Sequence, residues 1–288
     1  MTDIPATEKC RGTVLASKDG RDIIRCVKCM YVHVHPMYTA EELEKYYKGE
    51  FSESTPSHLW FEKVQNVSQW KSCGTILDFG CWEGDQLKHF VAAGWQCTGL
   101  EMNEKAAALA RLKGIDVLQM SMREFFATQA GQRWDVINVA YVLEHLPEPV
   151  PFLRQLQQHL NPGGVAIIEV PNEFNPLQKA YLLRHRIAPY WIHLPEHVNY
   201  FDKSSLEHLV KRLGWEILHA ESCFPMEMFL LMGDDYLTHP EAGRALFQKV
   251  LQFESVLRNE DPAMVSKIYA ALYKCGVGRG LTLYMRSR

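Results

Sequence analysis

Residues 75–87 decide the fold and read Thr-Ile-Leu-Asp-Phe-Gly-Cys-Trp-Glu-Gly-Asp-Gln-Leu. Ile76 to Phe79 form a short apolar run with a single acid, which has the length of a buried strand. After Gly84 the apolar residues change to the spacing of a helix. A strand that enters a helix through a glycine turn is the ligand-binding joint of a doubly wound parallel sheet.

The composition of this turn selects the class of ligand. A dinucleotide-binding turn needs glycines at the positions of Trp82 and Asp85, and neither is present. Glu83 and Asp85 would also place negative charge beside a pyrophosphate, where the helix N-terminus should be free for the anion. A cationic ligand without phosphates, such as the sulfonium S-adenosylmethionine, suits this turn better.

The next segment supplies an acid where such folds hold a ribose. Residues 95–100 read as a second strand, and Glu101 follows it, about twenty residues after the turn. Asn103 can cap the helix that comes next. We therefore predict that Glu101 binds the ribose hydroxyls.

With these segments the chain resembles the class I S-adenosylmethionine-dependent methyltransferases. The matching segments come in the family's order: Leu77-Asp78-Phe79-Gly80-Cys81-x-x-Gly84, Gly99-Leu100-Glu101, Trp134-Asp135-Val136-Ile137, Val142-Leu143-Glu144-His145 and Leu160-Asn161-Pro162-Gly163-Gly164. The resemblance implies an α/β fold with a doubly wound, seven-stranded Rossmann-like sheet in residues 41–288, where residues 225–280 read as a helical insertion. It also implies a cofactor site, whose residues are Asp78, Gly80, Cys81, Trp82, Gly84, Glu101, Met102, Ser121 and Ala140.

Three of these positions are informative about the cofactor site and the type of methyltransferase. Trp82 replaces a residue that is usually glycine, which predicts a tighter or differently shaped pocket floor. Ser121 lies where the family contacts adenine, usually with an acidic residue, and offers only a hydroxyl. Ala140, at the end of the fourth strand, carries no chemistry, which argues against the N-methyltransferases and DNA methyltransferases with an acidic or amide-rich motif there.

Composition narrows the function further. The chain has 288 residues, 47% of them hydrophobic, enough for one large domain and a small appendage. The formal net charge is −3 and no block of lysine or arginine appears, so we expect no nucleic-acid partner. No apolar run approaches the roughly 20 residues that cross a bilayer, and no secretion signal is seen, so no membrane partner is expected. The eight cysteines then indicate reduced thiols in a cytoplasmic protein, and the oligomeric state stays open.

Residues 1–40 carry a separate pattern, a Cys-x-x-Cys pair at Cys26 and Cys29 with Cys10 upstream and His33 and His35 downstream. This is half of a zinc ribbon. The segment resembles the small zinc-binding domain that precedes many such methyltransferases, including the sugar C-methyltransferases, although those usually have a fourth cysteine. Two interpretations stay open. Either a histidine, with His33 as the first choice, completes a zinc site, or the ribbon has kept its fold and lost its metal.

Residues 171–202, the roof segment, are too long for an ordinary connection. They leave the C-terminal edge of the sheet, so we expect them to cover the active site. Lys179, Arg184 and Arg186 are predicted to hold an anionic acceptor, because arginine forks suit phosphate oxygens. A solvated charge cluster is the alternative.

Two helices are predicted at residues 41–48 and 56–70. In the fold that the chain resembles, such helices close over the methionine end of the cofactor. Their aromatic residues are either pocket residues or packed on the sheet edge: Tyr46, Tyr47, Phe51 and Trp60.

Three residues are candidates for proton transfer. Methyl transfer from a sulfonium is an in-line displacement, and a hydroxyl or carbon acid also needs a base. His145 follows the fourth strand, and Glu196 and His197 lie in the roof segment. The corresponding residues of the sugar C-methyltransferases are counted as catalytic, but the tyrosine those enzymes have two residues before the glutamate is Leu194 here. The alternative is that these residues brace loops or the cofactor.

Three functions remain open. The favoured one is a methyltransferase that uses S-adenosylmethionine and acts on a small molecule, such as a nucleotide-linked or polysaccharide sugar. The second is an O-methyltransferase for a phenol or quinone-type substrate, because the roof segment is rich in aromatic residues. The third is a cofactor-binding module without turnover, indicated by Trp82 and by the incomplete cysteine set.

Overall fold

The computed structural model describes residues 10–39, 41–43, 46 and 59–288. In chain order its strands are β1 (Gly12–Lys18), β2 (Arg21–Cys26), β3 (Val32–His35), β4 (Thr75–Phe79), β5 (Gln96–Leu100), β6 (Asp116–Leu118), β7 (Trp134–Ala140), β8 (Leu160–Pro171), β9 (Asn199–Tyr200), β10 (Trp215–Ser222) and β11 (Gly280–Ser287). Its helices are α1 (Trp60–Ser68), α2 (Leu87–Ala92), α3 (Glu104–Leu112), α4 (Met122–Thr128), α5 (Pro149–Gln158), α6 (Pro176–His185), α7 (Lys203–Arg212), α8 (Glu227–Met232), α9 (Pro240–Glu260) and α10 (Met264–Lys274). The predicted residues Tyr47 and Phe51 lie outside the described ranges.

The large sheet has the strand order β10-β11-β8-β7-β4-β5-β6. Five neighbouring strands are parallel to one another, namely β8, β7, β4, β5 and β6. β11 runs antiparallel to its two neighbours, β8 and β10. The chain builds outward from β4 through β5 to β6 and then returns to the other side of β4 with β7. This reversal is the switch point at which doubly wound sheets bind ligands. The predicted seven-stranded doubly wound fold is thus confirmed.

Both faces of the sheet are buried. Leu77 and Phe79 of β4 belong to one apolar cluster, whereas Ile76 belongs to another. Successive side chains of a strand point to opposite faces, so the two clusters cover the two faces of the same strand. The near-continuous apolar runs that predicted the strands reflect this two-sided burial.

One strand, β8, begins earlier in the chain than the sequence predicts. The composition Asn161-Pro162-Gly163-Gly164 predicts a turn before the fifth parallel strand, but β8 already begins at Leu160. The pairing with β7 shifts from Trp134–Leu160 to Val136–Val165, so the extra residues of β8 bulge out of the ladder. Gly163 takes a left-handed φ of 72° in this bulge, which glycine adopts without strain.

A smaller antiparallel sheet joins the N-terminal segment to the roof segment. Its order is β1-β2-β3-β9, and β9 comes from residues 171–202. Val32 pairs with Tyr200 and His33 with Asn199. Sequence reasoning treated the two segments as separate features, because a two-residue strand leaves no alternating pattern to recognise. The domain boundary at residue 40 stays a prediction. The roof segment follows β8 of the large sheet and supplies β9 to the small sheet, so it connects the two sheets.

The remaining insertion is helical as expected. Residues 225–280 contain α8, α9 and α10 before β11 begins. None of the helices in the described ranges is both long and apolar enough to cross a membrane.

Candidate active site and candidate metal site

The turn after β4, residues 80–84, is held against the end of β5. The N–H groups of Gly80 and Cys81 both donate to the carbonyl of Leu100, at 2.8 and 3.1 Å. Gly84 has a φ of 74°, and a Cβ there would lie 2.2 Å from Cδ1 of Ile115. Glycine is therefore needed at this position for both backbone conformation and close packing. We call residues 80–84 the cofactor turn.

Trp82 lies in a left-handed backbone conformation, at a position where the family usually has glycine. Its φ is 50°, a left-handed value that is uncommon for a bulky residue. Its N–H donates to the carboxylate of Glu101 at 3.1 Å, which ties the cofactor turn to the acid after β5. Trp82 therefore places a half-buried indole in the cofactor turn.

Glu101 bridges two loops at the C-terminal edge of the sheet. One carboxylate oxygen accepts from Trp82, and the other accepts from the N–H of Asn103 at 2.7 Å. Each carboxylate oxygen has two lone pairs, so both can still accept from ribose hydroxyls. Met102 beside it is 63% exposed and lies where a bound nucleoside could contact it. Both assignments remain predictions.

Ser121 and Ala140 complete the predicted cofactor residues. Ser121 is the N-cap of α4, and its hydroxyl oxygen accepts from the N–H of Glu124 at 3.1 Å. The hydroxyl proton stays available for a ligand. Ala140 is the last residue of β7 and pairs with Glu169 of β8. Both positions lie at the C-terminal edge, on either side of the switch point.

A buried chain of polar side chains lies behind the cofactor turn. Asn138 donates to Asp78 at 2.6 Å, while Lys63 donates to Asn138 at 3.4 Å and to Glu169 at 2.6 Å. Burial raises the pKa of Asp78 to about 7, against the opposing effect of the hydrogen bond from Asn138. Sequence reasoning singled out only Asp78. The pattern that it missed is a polar residue inside each of three adjacent, mainly apolar strands: Asp78 in β4, Asn138 in β7 and Glu169 in β8.

The structure brings His145 and His197 together. His145 ends a short 3₁₀ turn, Leu143–His145, and His197 lies in the roof segment just before β9. Their ring centroids are 5.1 Å apart and their planes are tilted by 74°. We call these two residues the histidine pair. Nδ1 of His145 lies 2.7 Å from the carbonyl oxygen of Glu196, so Glu196 contacts the pair through its main chain.

Glu173 is the carboxyl group beside His197, and sequence reasoning did not single it out. Its Oε1 lies 3.4 Å from Nδ1 of His197. Glu144, next to His145 in the chain, is also buried. Both oxygens of Glu144 and one of Glu173 lack a hydrogen-bond partner among the described residues. Buried polar atoms without partners indicate a place where a ligand, ion or water belongs.

The electrostatics of this cluster favour neutral groups. Burial, together with the neighbouring His197, lowers the pKa of His145 to about 4. Burial also lowers the pKa of His197, against the opposing charge of Glu196. Burial raises the pKa of Glu144 and of Glu173. Neutral imidazoles at neutral pH can each accept a proton or bind a metal ion.

The same cluster also has the spacing of a metal site. Ligand atoms of Glu144, His145 and His197 all lie within 4.8 Å of one another. A carboxylate and two imidazoles suit several divalent cations. The geometry therefore allows two chemistries, proton transfer and metal binding.

The cysteine cluster, formed by Cys10, Cys26, Cys29 and His33, is assembled as the zinc interpretation requires. All four ligand atoms lie within 4.8 Å of one another, and the sulfurs of Cys10 and Cys29 are 3.6 Å apart. Two sulfurs on one tetrahedral zinc ion would be about 3.8 Å apart. Of the two histidines considered, His33 belongs to this group and His35 does not.

The ring of His33 is oriented for a metal. Its Nδ1 lies 2.7 Å from the carbonyl oxygen of Val34, which can only accept, so Nδ1 carries the proton. Nε2 then presents its lone pair, and it is buried with no partner within the described part of the chain. A ligating histidine whose other nitrogen donates to a carbonyl is the usual arrangement at zinc sites. These residues fit zinc.

The predicted acceptor-binding residues are exposed. Lys179 lies on α6 and lines an open cleft of about 280 Å³ with Lys203 and Lys274. Arg184 and Arg186 lie at the C-terminal end of α6, away from the residues that line this cleft. The structure therefore does not gather the three cations at one site, and their role stays a prediction.

Arg279 is a cation at the active-site edge that sequence reasoning missed. Its main-chain carbonyl accepts from the N–H of Asn172 at 2.8 Å, which fixes it between β8 and β11. The side chain of Arg279 reaches the surface. Desolvation lowers the pKa of its guanidinium, but the acidic groups around it, the carboxylate of Glu227 foremost, outweigh this, so the net pKa is raised. The Gly276-x-Gly278-x-Gly280 pattern predicts only a turn, and the arginine within it was the available signal.

The fold, the cofactor turn and the acid after β5 define a class I S-adenosylmethionine-dependent methyltransferase. The family model described as a methyltransferase domain matches residues 52–220, more than half of the chain, and the chain belongs to this family. S-Adenosylmethionine is accordingly the methyl donor.

Curated relatives carry the name ubiquinone biosynthesis O-methyltransferase. The protein from Aromatoleum aromaticum is 29% identical over 182 residues, which cover 57% of this chain and 76% of the relative. The one from Bordetella pertussis is 32% identical over 137 residues, which cover 46% of this chain and 55% of the relative. The chain thus spans between about half and three quarters of the length of these two relatives.

The chain is also similar to solved structures, at lower sequence identity. A methyltransferase from Archaeoglobus fulgidus is 17% identical, with a TM-score of 0.49, over 79% of this chain and 92% of its own. A methyltransferase from Geobacter sulfurreducens in complex with S-adenosyl-L-homocysteine is 13% identical, with a TM-score of 0.48, over 84% and 95%.

Proposed function

We propose that this protein transfers the methyl group of S-adenosylmethionine to a hydroxyl group of a small aromatic molecule of the phenol or quinone type. The observation that carries the proposal is the histidine pair, two imidazoles that converge just past the C-terminal end of β7, the strand that pairs with β4. Relatives named as ubiquinone biosynthesis O-methyltransferases support the oxygen acceptor. Tyr190 of the roof segment supports the aromatic acceptor, because its hydroxyl is buried without a hydrogen-bond partner among the described residues, whereas Trp191 beside it is packed in an apolar cluster.

The donor would occupy the cofactor turn, with Glu101 on its ribose. Asp78, Gly80, Cys81 and Trp82 would border its methionine end, and Met102, Ser121 and Ala140 its nucleoside. The switch point between β4 and β7 supports this placement.

The reaction needs one proton acceptor. The acceptor hydroxyl gives its proton to His197 as its oxygen attacks the methyl carbon. The carbon–sulfur bond breaks, and S-adenosylhomocysteine leaves with a neutral sulfur. The incoming proton binds Nε2 of His197, while Nδ1, 3.4 Å from Oε1 of Glu173, donates a hydrogen bond to that oxygen and so orients the ring. Because His145 donates from Nδ1 to a carbonyl, its Nε2 also stays available as an acceptor.

Positive charge at this edge favours an acceptor with an anionic group. The charge of Arg279 acts on Glu173, Tyr190 and His193, which lie in or beside the histidine cluster. We propose that Arg279 holds the anionic group. The exposed Lys179, Arg184 and Arg186 would attract it from solvent.

A second candidate is methylation of a nucleotide-linked or polysaccharide sugar. It is favoured by the cysteine cluster, which resembles the N-terminal domain of sugar C-methyltransferases. Leu194 stands where those enzymes have a tyrosine, which favours transfer to oxygen over transfer to carbon.

Incubation with S-adenosylmethionine and matched panels of phenols and sugar nucleotides tests the proposal. Mass spectrometry should find a methylated phenol and an equal amount of S-adenosylhomocysteine. A methylated sugar would support the second candidate instead. No product from either panel, with the donor bound, would support a module without turnover.

The metal alternative at the histidine pair is tested in the same assay. If Glu144, His145 and His197 hold a divalent cation that activates the hydroxyl, a chelator should abolish turnover and one added cation should restore it. The chelator must be tested in a Cys29→Ser variant as well, so that loss of metal from the cysteine cluster is accounted for. Turnover that persists in chelator supports His197 as the base.

A further inference from the structure

The cysteine cluster and the histidine pair are joined by one strand pairing. His33, the fourth residue of the cysteine cluster, lies directly opposite Asn199 across β3 and β9. At the next residue of β3, the N–H of Val34 donates to the carbonyl of Val198 at 3.0 Å. Val198 and Asn199 directly follow His197 in the chain. The position of His197 is therefore set by a strand that contains a metal-ligand candidate.

The side chain of Asn199 extends this connection to His145. Its Nδ2 donates to the carbonyls of Leu143 at 3.2 Å and of Leu146 at 2.6 Å. These two carbonyls flank Glu144 and His145. The N–H of Val198 donates to the carbonyl between them, that of Glu144, at 2.9 Å. Three hydrogen bonds thus hold the turn that carries His145 onto the start of β9.

Burial makes these contacts consequential. Asn199 is fully buried, and its Nδ2 could not find water if the turn moved away. Leaving a buried donor without a partner costs free energy comparable to a full hydrogen bond, so the turn and β9 should move together. β9 has only two residues and is paired only with β3 in this sheet. Outside this sheet the next residue, Phe201, forms a single bridge with Asn172. The pairing with β3 is therefore the main support of β9, and the order of β9 should follow that of β3.

We propose that Asn199 is a positioning residue that couples the cysteine cluster to the histidine pair. A metal held by Cys10, Cys26, Cys29 and His33 would fix β3, β3 would fix β9, and Asn199 would fix the turn that carries His145. The competing explanation is that the metal stabilises only the hairpin of β2 and β3. The kinetic test of this inference rests on the proposed function, whereas the hydrogen-exchange test does not.

Hydrogen exchange detected by mass spectrometry tests the coupling without any turnover. Metal content is first measured on the purified protein, and metal is then removed by a chelator or by the Cys29→Ser substitution. Exchange should speed up in the β2–β3 hairpin and, by about tenfold or more, in residues 143–146 and 197–200. In Asn199→Ala, residues 143–146 should exchange fast with or without metal, while the hairpin still responds to it.

Asn172→Ala is the matched control. Asn172 is also fully buried, and its Nδ2 also donates to two main-chain carbonyls, those of Gly276 and Gly278. Its main chain bridges to Phe201 after β9, but the substituted side chain takes no part in that bridge or in the pairing between β3 and β9. The metal dependence of residues 143–146 should therefore persist in this variant. A metal-dependent response in the control and its loss in Asn199→Ala would support the coupling.

Three results would overturn the inference. They are a protein that neither contains nor binds zinc, a metal removal that leaves residues 143–146 unchanged, and an Asn199→Ala variant that keeps the full metal response. The kinetic arm is separate. Asn199→Ala should lower kcat with little change in donor affinity and should shift the pH profile, because the pair is displaced and the donor site is intact. If neither the wild-type protein nor any variant turns over a substrate, the proposed function fails while the exchange result stands.

Discussion

Nδ1 of His145 donates to the main-chain carbonyl of Glu196 at 2.7 Å, and this contact fastens the end of the fourth parallel strand to the roof segment. Because a carbonyl only accepts, the contact also fixes the tautomer of His145. Nε2 therefore faces the cluster with a lone pair. The chemistry proposed for the histidine pair depends on this orientation.

Substitution of His197 should separate catalysis from donor binding. His197→Ala is expected to lower kcat by about 10²–10⁴-fold, the usual loss when a general base is removed. Donor affinity, measured by calorimetry, should be nearly unchanged. His208→Ala, at an exposed position on α7, is the control and should behave as the wild type. A parallel collapse of donor affinity would show that His197 is part of the cofactor site, and full activity would show that the base lies elsewhere.

The pH profile should reflect the burial of the histidine pair. Burial lowers the pKa of His197 below its ordinary value and that of His145 to about 4. A base works only when unprotonated, so kcat/KM should stay high as the pH falls from 7 to about 6 and decline only below that. Steady-state assays across pH 4.5–8 would show this. A midpoint at or above the ordinary histidine pKa of about 6.5 would contradict a buried histidine base.

Asp78 should make the protein less stable on the alkaline side. Burial raises its pKa from 3.8 to about 7, and Glu101 and Glu169 add to the rise while Asn138 and Lys63 oppose it. Between these two values the folded state binds more protons than the unfolded state, so stability falls as the pH rises towards 7. Denaturant unfolding at pH 5 and pH 8 should show a smaller loss in Asp78→Asn than in the wild type. An equal loss in both would show that Asp78 ionises normally.

Glu101 should contribute to donor affinity. Glu101→Ala is expected to weaken donor binding by roughly 1–3 kcal/mol, through loss of charge-assisted hydrogen bonds to the ribose. Glu104→Ala, an exposed acid in the first turn of α3, is the control for a change in charge. Unchanged calorimetric affinity in Glu101→Ala would remove the assignment. Because Glu101 also holds Trp82 and Asn103, the unfolding midpoint must be measured alongside.

Arg279 and the cations of α6 should affect the acceptor differently. Arg279→Gln should raise the acceptor KM tenfold or more while the donor KM changes little, because a charge-assisted contact with the anionic group is lost. The double variant Arg184→Gln, Arg186→Gln should raise the acceptor KM only modestly, and added salt should abolish the difference. A large, salt-independent effect of the double variant would move the anion site to α6.

The sequence predicted the fold because its signals are local. The apolar run before Gly80 and the helical spacing after Gly84 lie within a few residues, and each reports one element. The pairing of β3 with β9 joins residues that are far apart in the chain, and neither strand carries a pattern that names its partner. Glu173 and Arg279 were missed for the same reason, since each becomes relevant only through what the folded chain places beside it.

The central claim is tested most directly with S-adenosylmethionine that carries a trideuterated methyl group. The purified protein, the labelled donor and the phenol panel should yield a product that carries the label on oxygen, together with one equivalent of S-adenosylhomocysteine. The yield should fall by about 10²–10⁴-fold in His197→Ala. Label found on a sugar carbon, or no labelled product from a protein that binds the donor, would contradict the account.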